Sequence, residues 1–292
     1  MKNLTAVIPV RQGSQRVKNK NFKPFAGKSL LEHKIDIIKK LPVKDIIVNT
    51  DSEIAIDIAK KAGVSYFKRE PYYASSECTN SEYHEYLAKS TNSEDILVAQ
   101  VTAPLINLET YLEAIDLFYN NNCNSLMSVK TVKEYLWFKD KPINYTLDYA
   151  PNSQDLPNYF SPTFGITIVK REAMLKAKNF ICNKPYFYEV SEIEAIDIDT
   201  PIDFDFAEFL YKKYILNIKK IALVALCAAT LSSCTKDWLD VNTTPNDPLA
   251  ENVSPDFILA GAQTQAYGTQ AVTMNRLGNV YMYNWGANVN SF

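Results

Sequence analysis

The apolar positions of this chain fall into short runs whose period changes from segment to segment. LTAVIPV, near the start, is almost continuous, as a strand buried on both faces would be. In SLLEHKIDIIKKL, Leu31, Ile35 and Ile38 repeat at helical spacing. DIIVNT then predicts a strand, SEIAIDIAKKAG a helix closed by Gly63, VSYF a strand and SEYHEYLAKS a helix. DILVAQV, ETYLEAIDLFYNN and SLMSVK continue the alternation. Such a succession predicts a mostly parallel α/β sheet covered by helices, with ligands at the carboxyl ends of the strands.

The rhythm breaks after Lys130. VKEYLWFKDKPINYTLDYAPNSQDLPNYFSP is rich in Tyr, Pro and Asn and long for a loop in a compact domain, so it reads as a lid or an association arm. GITIVK, YFYEV and EAIDID restore strand character, and a helix from Pro201 closes the unit. Thr200 and Asp203 there are spaced for a near-capping box. A second break follows at Asn217. IKKIALVALCAATLSSC, from Ile218 to Cys234, has a basic start, a short apolar core and small residues before a cysteine. Its apolar run is about eleven residues, short of the ~20 that span a bilayer. That is the anatomy of a secretory signal lying inside a chain, whereas MKNLTAVIPVRQG at Met1 does not read as one.

Composition narrows the class. The 292 residues carry 31 basic and 33 acidic side chains, so the balance suggests neither nucleic acid nor an anionic membrane as partner. Five scattered cysteines without CxxC pairs argue against a disulfide framework and fit a reducing cytosol.

Two constellations carry chemistry. The loop VRQGSQRVKNKNFKPFAGK places Arg11, Arg16, Lys18, Lys20 and Lys23 around Gly13 and Ser14 at the end of the first strand. It is neither GxGxxG nor a Walker loop. It is nevertheless suited to a triphosphate, with forked Arg contacts, Lys point charge and a glycine for close backbone approach. The alternative is a solvated loop. In AIDIDTP, read as a strand, Asp197 and Asp199 share one face. Paired carboxylates near a sheet interior repel unless a cation lies between them, and Mg²⁺ with a phosphate oxygen meets that need. The alternative is a wet edge strand.

IPVRQGSQRVKNKNFKPFAGKSLLEHKI, NTDSEIAIDIAKKAGV, VAQVTAPL, QDLPNYF and AIDIDTPIDF, in that order, resemble the successive signatures of the acylneuraminate cytidylyltransferases, the CMP-sialic acid synthetases. The resemblance implies a Rossmann-like sheet with an inserted dimerisation arm at 132–163, within a domain of residues 1–217. It implies transfer of CMP from CTP to the anomeric hydroxyl of a nonulosonic acid, with Mg²⁺ (or Mn²⁺), by a cytoplasmic homodimer without membrane or nucleic-acid partners. By position, Arg11 and Lys20 would hold the triphosphate and, with Asp199, carry catalysis. Gly13, Ser14, Asn21, Arg69, Ala74, Asn80 and Ser81 would complete the nucleotide site. Gln100, Thr102 and Gln154 would meet the sugar, and Asp197 and Asp199 the metal.

The chain departs from that pattern on the sugar side. Ile106 stands where the family commonly has an arginine, and Asn152 and Ser153 precede Gln154 where it has Arg-Gln. Ser161, Pro162, Thr163 and Phe164 precede Gly165 where it has Arg-Pro-Asn-Gly. Legionaminic, pseudaminic and 3-deoxy-octulosonate-type substrates stay open. His33 is read as exposed and His84 and Tyr86 as surface or packing residues. Trp137 and Phe138 suit stacking on a sugar or, equally, an arm that packs against a second subunit, and Cys78 and Cys182 are read as packing residues. LSSC followed by TKDWLDVNTTPNDP resembles the lipoprotein signal (218–234) and truncated mature start (235–292) of SusD-like glycan-binding lipoproteins, with Cys234 at the lipidation position. That tail alone supports a second reading, a glycan-binding surface lipoprotein, and is expected to be poorly packed.

Overall fold

A computed structural model describes residues 3–13 and 16–216. Ser14, the boundary at Asn217 and the segments 218–234 and 235–292 lie outside the described residues. Among the described residues, seven strands form one sheet: β1 (Leu4–Val10), β2 (Asp45–Thr50), β3 (Ser65–Lys68), β4 (Asp95–Ala99), β5 (Ser125–Val132), β6 (Tyr159–Lys170) and β7 (Pro185–Glu189). Their order is β7-β5-β6-β4-β1-β2-β3. β1 pairs in parallel with both β2 and β4, β2 with β3, and β7 with β5. β6 runs antiparallel to β4 and β5. The mostly parallel α/β sheet expected from the hydrophobic pattern is therefore present, with β1 buried at every position.

Helices α1 (Leu30–Ile38), α2 (Glu53–Ala62), α3 (Asn80–Lys89), α4 (Leu108–Asn120), α5 (Arg171–Ala177) and α6 (Pro201–Leu210) connect or cover the strands. Their ends follow local chemistry. Ser29, Thr79 and Thr200 each accept from the backbone three residues on while Glu32, Glu82 and Asp203 reach back, closing three capping boxes. Gly63 ends α2 at φ 66°, a left-handed turn that glycine adopts without a Cβ penalty. None of the described helices is long and apolar enough to cross a membrane.

Two expectations need correction. EAIDID is not a strand of the sheet: residues 192–195 form turns, and 196–199 have no regular secondary structure, with the Ile198 N–H donating to the Thr102 carbonyl at 2.8 Å. The in–out alternation survives, with Ile198 fully buried and Asp197 exposed, although the ladder does not form. His33 is not exposed. It is buried with Nε2 2.7 Å from the Phe25 carbonyl and Nδ1 3.0 Å from the Tyr211 hydroxyl, so the end of the described chain is seated on α1.

The first core cluster holds Ile106, fully buried beneath β6. A Cβ built on Gly165 would lie 2.3 Å from Ile106 Cδ1 and 3.1 Å from Ala103 Cβ. Position 106 is thus a packing position, and a charged residue there would have to displace core. The β5–β6 register shifts between Pro162 and Thr167, a stretch that includes Gly165, and Phe164 takes φ 57°.

Lys34 is the unusual core residue. It is 1% exposed, and its Nζ donates to the Ala103 carbonyl and the Tyr111 hydroxyl, both at 2.8 Å. Burial pushes its pKa down to about 7. An unfolded lysine titrates near ~10.4. Between those values the unfolded state binds a proton that the folded state lacks, so stability rises with pH across that window and the gain is absent below it. Denaturant unfolding should show wild type gaining roughly 2 kcal/mol relative to Lys34→Met between pH 7 and pH 9. A pH-independent difference would mean that Lys34 stays charged in the fold.

The excursion between β5 and β6 carries a two-residue hairpin (Trp137–Phe138 with Lys141–Pro142), with Tyr145 edge-on to Tyr135 and Trp137. Phe138, Leu147 and Tyr149 are 68%, 73% and 71% exposed.

Candidate active site at the carboxyl ends of β1 and β4

The chain leaves β1 for β2 on one side and reaches β4 on the other, so the crevice at the carboxyl ends of β1 and β4 is the sheet's switch point, where ligands bind in such sheets. A cavity of about 230 Å³ lies there. Pro9 and Arg11 come from the end of β1, and Arg16, Val17, Lys20 and Asn21 from the loop after it. Arg69 follows β3, Tyr83 projects from α3, and Gln100, Val101 and Thr102 follow β4.

The basic loop folds on itself through the Lys20 N–H to the Val17 carbonyl at 3.2 Å and those of Phe22 and Lys23 to Asn19 at 2.9 Å each. Asn19, at φ 53°, makes the turn. Asn21 is 5% exposed and donates through Nδ2 to the Arg11 carbonyl at 3.2 Å, while its buried Oδ1 has no hydrogen-bond partner among the described residues. An orphan buried acceptor on a cavity wall is suited to a ligand donor.

An acidic corner adjoins the cations. Lys20 Nζ donates to the Ile198 carbonyl and lies 3.8 Å from Asp199 Oδ1, while Arg16 Nη2 meets the same oxygen at 2.9 Å. Burial lowers the Lys20 pKa, partly opposed by the attraction of Asp197 and Asp199. Although Asp197 keeps solvent-facing surface, the protein packed around its carboxyl partly desolvates it and raises its pKa, reinforced by the like charge of Asp199 and opposed by a hydrogen bond from Thr102. The backbone of Asp199 is held by α6: its N–H donates to Asp203 Oδ2 at 3.1 Å, the oxygen that also caps the helix. Two neighbouring carboxylates beside a cavity suit a hard cation that takes its remaining ligands from phosphate and water. No cluster of three His, Cys, Asp or Glu that could hold a metal by protein ligands alone occurs among the described residues.

Of the residues singled out from the sequence, Arg11, Lys20, Asn21, Arg69, Gln100 and Thr102 line this one cavity, and Asp197 and Asp199 adjoin it. Gly13 is exposed at φ 80° and is not among the lining residues. Ala74 ends the short helix Pro71–Ala74, Asn80 and Ser81 are exposed in the first turn of α3, and none of the three lines the cavity. Gln154 is exposed in the arm, where its carbonyl accepts from Lys133 Nζ at 2.7 Å. Tyr83, and Asn49 behind it, escaped the sequence reading.

The cytidylyltransferase family model matches residues 5–221, which contain all of the described sheet but Leu4, and the cavity. The chain belongs to the cytidylyltransferase family. Relatives of this cytidylyltransferase chain include the N-acylneuraminate cytidylyltransferase of Streptococcus agalactiae serotype III, 28% identical over 211 residues, covering 68% of this chain and 51% of the relative. The pseudaminic acid cytidylyltransferase of Campylobacter jejuni serotype O:2 is 28% identical over 228 residues, covering 73% and 97%. The CMP-N,N'-diacetyllegionaminic acid synthase of Legionella pneumophila is 27% identical over 226 residues, covering 71% and 95%. The chain spans about half the length of the streptococcal relatives it matches. Among solved structures, a CMP:2-keto-3-deoxy-manno-octonic acid synthetase complexed with CTP superposes with TM-score 0.55 at 12% identity, covering 73% of this chain and 99% of that one. A 4-diphosphocytidyl-2C-methyl-D-erythritol synthase from Anaerococcus prevotii does so with TM-score 0.55 at 16% identity, covering 72% and 99%. At these identities the likeness is one of fold.

Proposed function

We propose that residues 1–217 transfer CMP from CTP to the anomeric hydroxyl of a sialic-acid-like nonulosonic acid. The observation that carries this reading is a single switch-point cavity with Arg11, Arg16 and Lys20 beside the Asp197–Asp199 pair and a buried arginine, Arg69, on its wall. The sugar hydroxyl attacks the α-phosphorus as the bond to the pyrophosphate oxygen breaks, giving CMP-sugar, pyrophosphate and a proton. Arg11, Arg16 and Lys20 hold the triphosphate and neutralise charge gathering on the leaving group. Gln100 and Thr102 lie beside them to orient the acceptor. In-line positioning and charge neutralisation suffice, with no covalent enzyme intermediate. Mg²⁺ (or Mn²⁺) would be held by Asp197 and Asp199 together with phosphate oxygens, and would supply Lewis-acid neutralisation of the phosphates.

Relatives named for N-acylneuraminate, pseudaminic and legionaminic acids support the sugar class, and the core position of Ile106 supports a sugar half unlike the sialic pattern. A cytosolic setting follows from the use of CTP. Pyrophosphate release, measured across the four ribonucleoside triphosphates and a panel of nonulosonic acids with and without Mg²⁺, tests the reading. Turnover should need CTP and one such acid, and release with a neutral sugar or with ATP alone would overturn it.

We also propose that the exposed arm mediates a homodimer, since Phe138, Leu147 and Tyr149 have no cover within the described chain. Light scattering should give twice the mass of 33.1 kDa, and Phe138→Asp with Leu147→Asp should halve it. A monomeric wild type with full activity would remove the arm, and Gln154, from the site.

A further inference from the structure

Arg69 is 6% exposed, and its hydrogen bonds among the described residues go to neutral groups. Nε donates to Asn49 Oδ1 at 2.8 Å, while Nη2 donates to the Asn49 carbonyl at 2.9 Å and to the Tyr83 hydroxyl at 2.6 Å. The guanidinium carbon also stands 4.6 Å from the centroid of the Tyr83 ring. Tyr83 in turn donates to Asn49 Oδ1 at 3.3 Å, closing a three-residue ring of contacts. Asn49 is fully buried in β2, and its Nδ2 has no hydrogen-bond partner among the described residues.

A buried cation without a carboxylate is costly, and a fold that keeps one has a use for the charge. The two contacts to Asn49 take the Nε–Nη2 edge, and Tyr83 takes the other Nη2 hydrogen. Nη1 has no partner among the described hydrogen bonds, and Arg69 and Tyr83 both line the cavity. Arginine can only donate. Cytosine offers it two adjacent acceptors, O2 and ring N3, whereas uracil carries a hydrogen on N3 and meets the same donor with a donor.

We propose that Asn49 and Tyr83 are positioning residues that lock the orientation of Arg69, so that its free nitrogen reads the acceptor edge of a pyrimidine and rejects uracil. The proposal rests on the CTP-dependent reading above and deepens it. Fixing the guanidinium from behind turns a flexible cation, which would attract any nucleotide, into a directional test of the base.

The experiment is calorimetric binding of CTP and of UTP to the full chain, without sugar. Wild type should prefer CTP by about ten-fold or more, the scale of one hydrogen bond to a charged group. Tyr83→Phe and Asn49→Ala should each lower the CTP/UTP ratio about ten-fold, chiefly by weakening CTP. Asn49→Asp, which keeps an acceptor at Oδ1, should retain the ratio. A purely structural role would weaken both nucleotides together and leave the ratio unchanged, which would overturn the proposal. Loss of fold in both Tyr83→Phe and Asn49→Ala would assign the network to the core and overturn it too. A wild type that binds UTP as tightly as CTP would overturn the proposal as well, whereas a wild type that binds neither nucleotide would sink the CTP-dependent reading, a separable outcome.

Discussion

Asp199→Asn is expected to reduce turnover by two orders of magnitude or more while leaving the melting temperature nearly unchanged. The stability side follows from exposure. Asp199 is 43% exposed in its ion pair with Arg16, itself 69% exposed, and pairs of that kind contribute about 0–1 kcal/mol. The activity side follows from position. The Asp199 carboxylate orders Arg16 at 2.9 Å, faces Lys20 at 3.8 Å and shares the proposed cation with Asp197. Losing roughly 3 kcal/mol of transition-state stabilisation, modest for a metal-assisted phosphoryl site, costs about two orders of magnitude in rate. Pyrophosphate release by this variant within three-fold of wild type would take Asp199 out of the machinery.

Gly165→Ala should unfold the domain at lower temperature, by an amount that depends on residue 106. The added methyl would sit 2.3 Å from Ile106 Cδ1 and 3.1 Å from Ala103 Cβ, where neither wall has open space. Overpacking a tight core typically costs about 1–3 kcal/mol, or roughly 2–4 °C per kcal/mol in a domain of this size. Ile106→Val removes the atom in the way and by itself costs about 0.5–1.5 kcal/mol. The double variant should therefore be more stable than the sum of the two single losses, a coupling that a thermal double-mutant cycle detects. Strict additivity would show that β6 shifts away from Ile106 rather than pressing on it.

Where the sequence was readable, a single physical rule applied over many residues. LTAVIPV and DILVAQV are continuous because both faces of β1 and β4 are covered, and Leu31, Ile35 and Ile38 repeat because one face of α1 is buried. Arg11 and Lys20 were legible as a basic loop at the end of β1, whereas Asn21 and Gln100 were placed through the family resemblance alone; all four line the cavity. Asn49 and Tyr83 were legible by neither route. Asn49 reads as the polar end of a strand and Tyr83 as one aromatic among several on a helix of mixed polarity. Only the fold brings positions 49, 69 and 83 together. EAIDID misled because alternation reports which residues face inward, and it says nothing about whether a neighbouring strand exists to pair with. His33 misled because it neighbours Lys34, and both turned out to be buried.

The capping box of α6 has a last consequence. Asp203 Oδ2 accepts from Thr200 N and Oγ1 and from Asp199 N, so one oxygen both starts the helix and fixes the backbone of the acidic corner. Fraying of that first turn would swing Asp199 away from Lys20. In a saturation mutagenesis screen scored by activity, Thr200 and Asp203 would thus rank beside the phosphate-binding cations although neither lines the cavity. The same screen scored by abundance would pass them over, since one helix cap is worth only about 1 kcal/mol. Comparing the two scores would separate groups that hold the site in place from groups that hold the protein together.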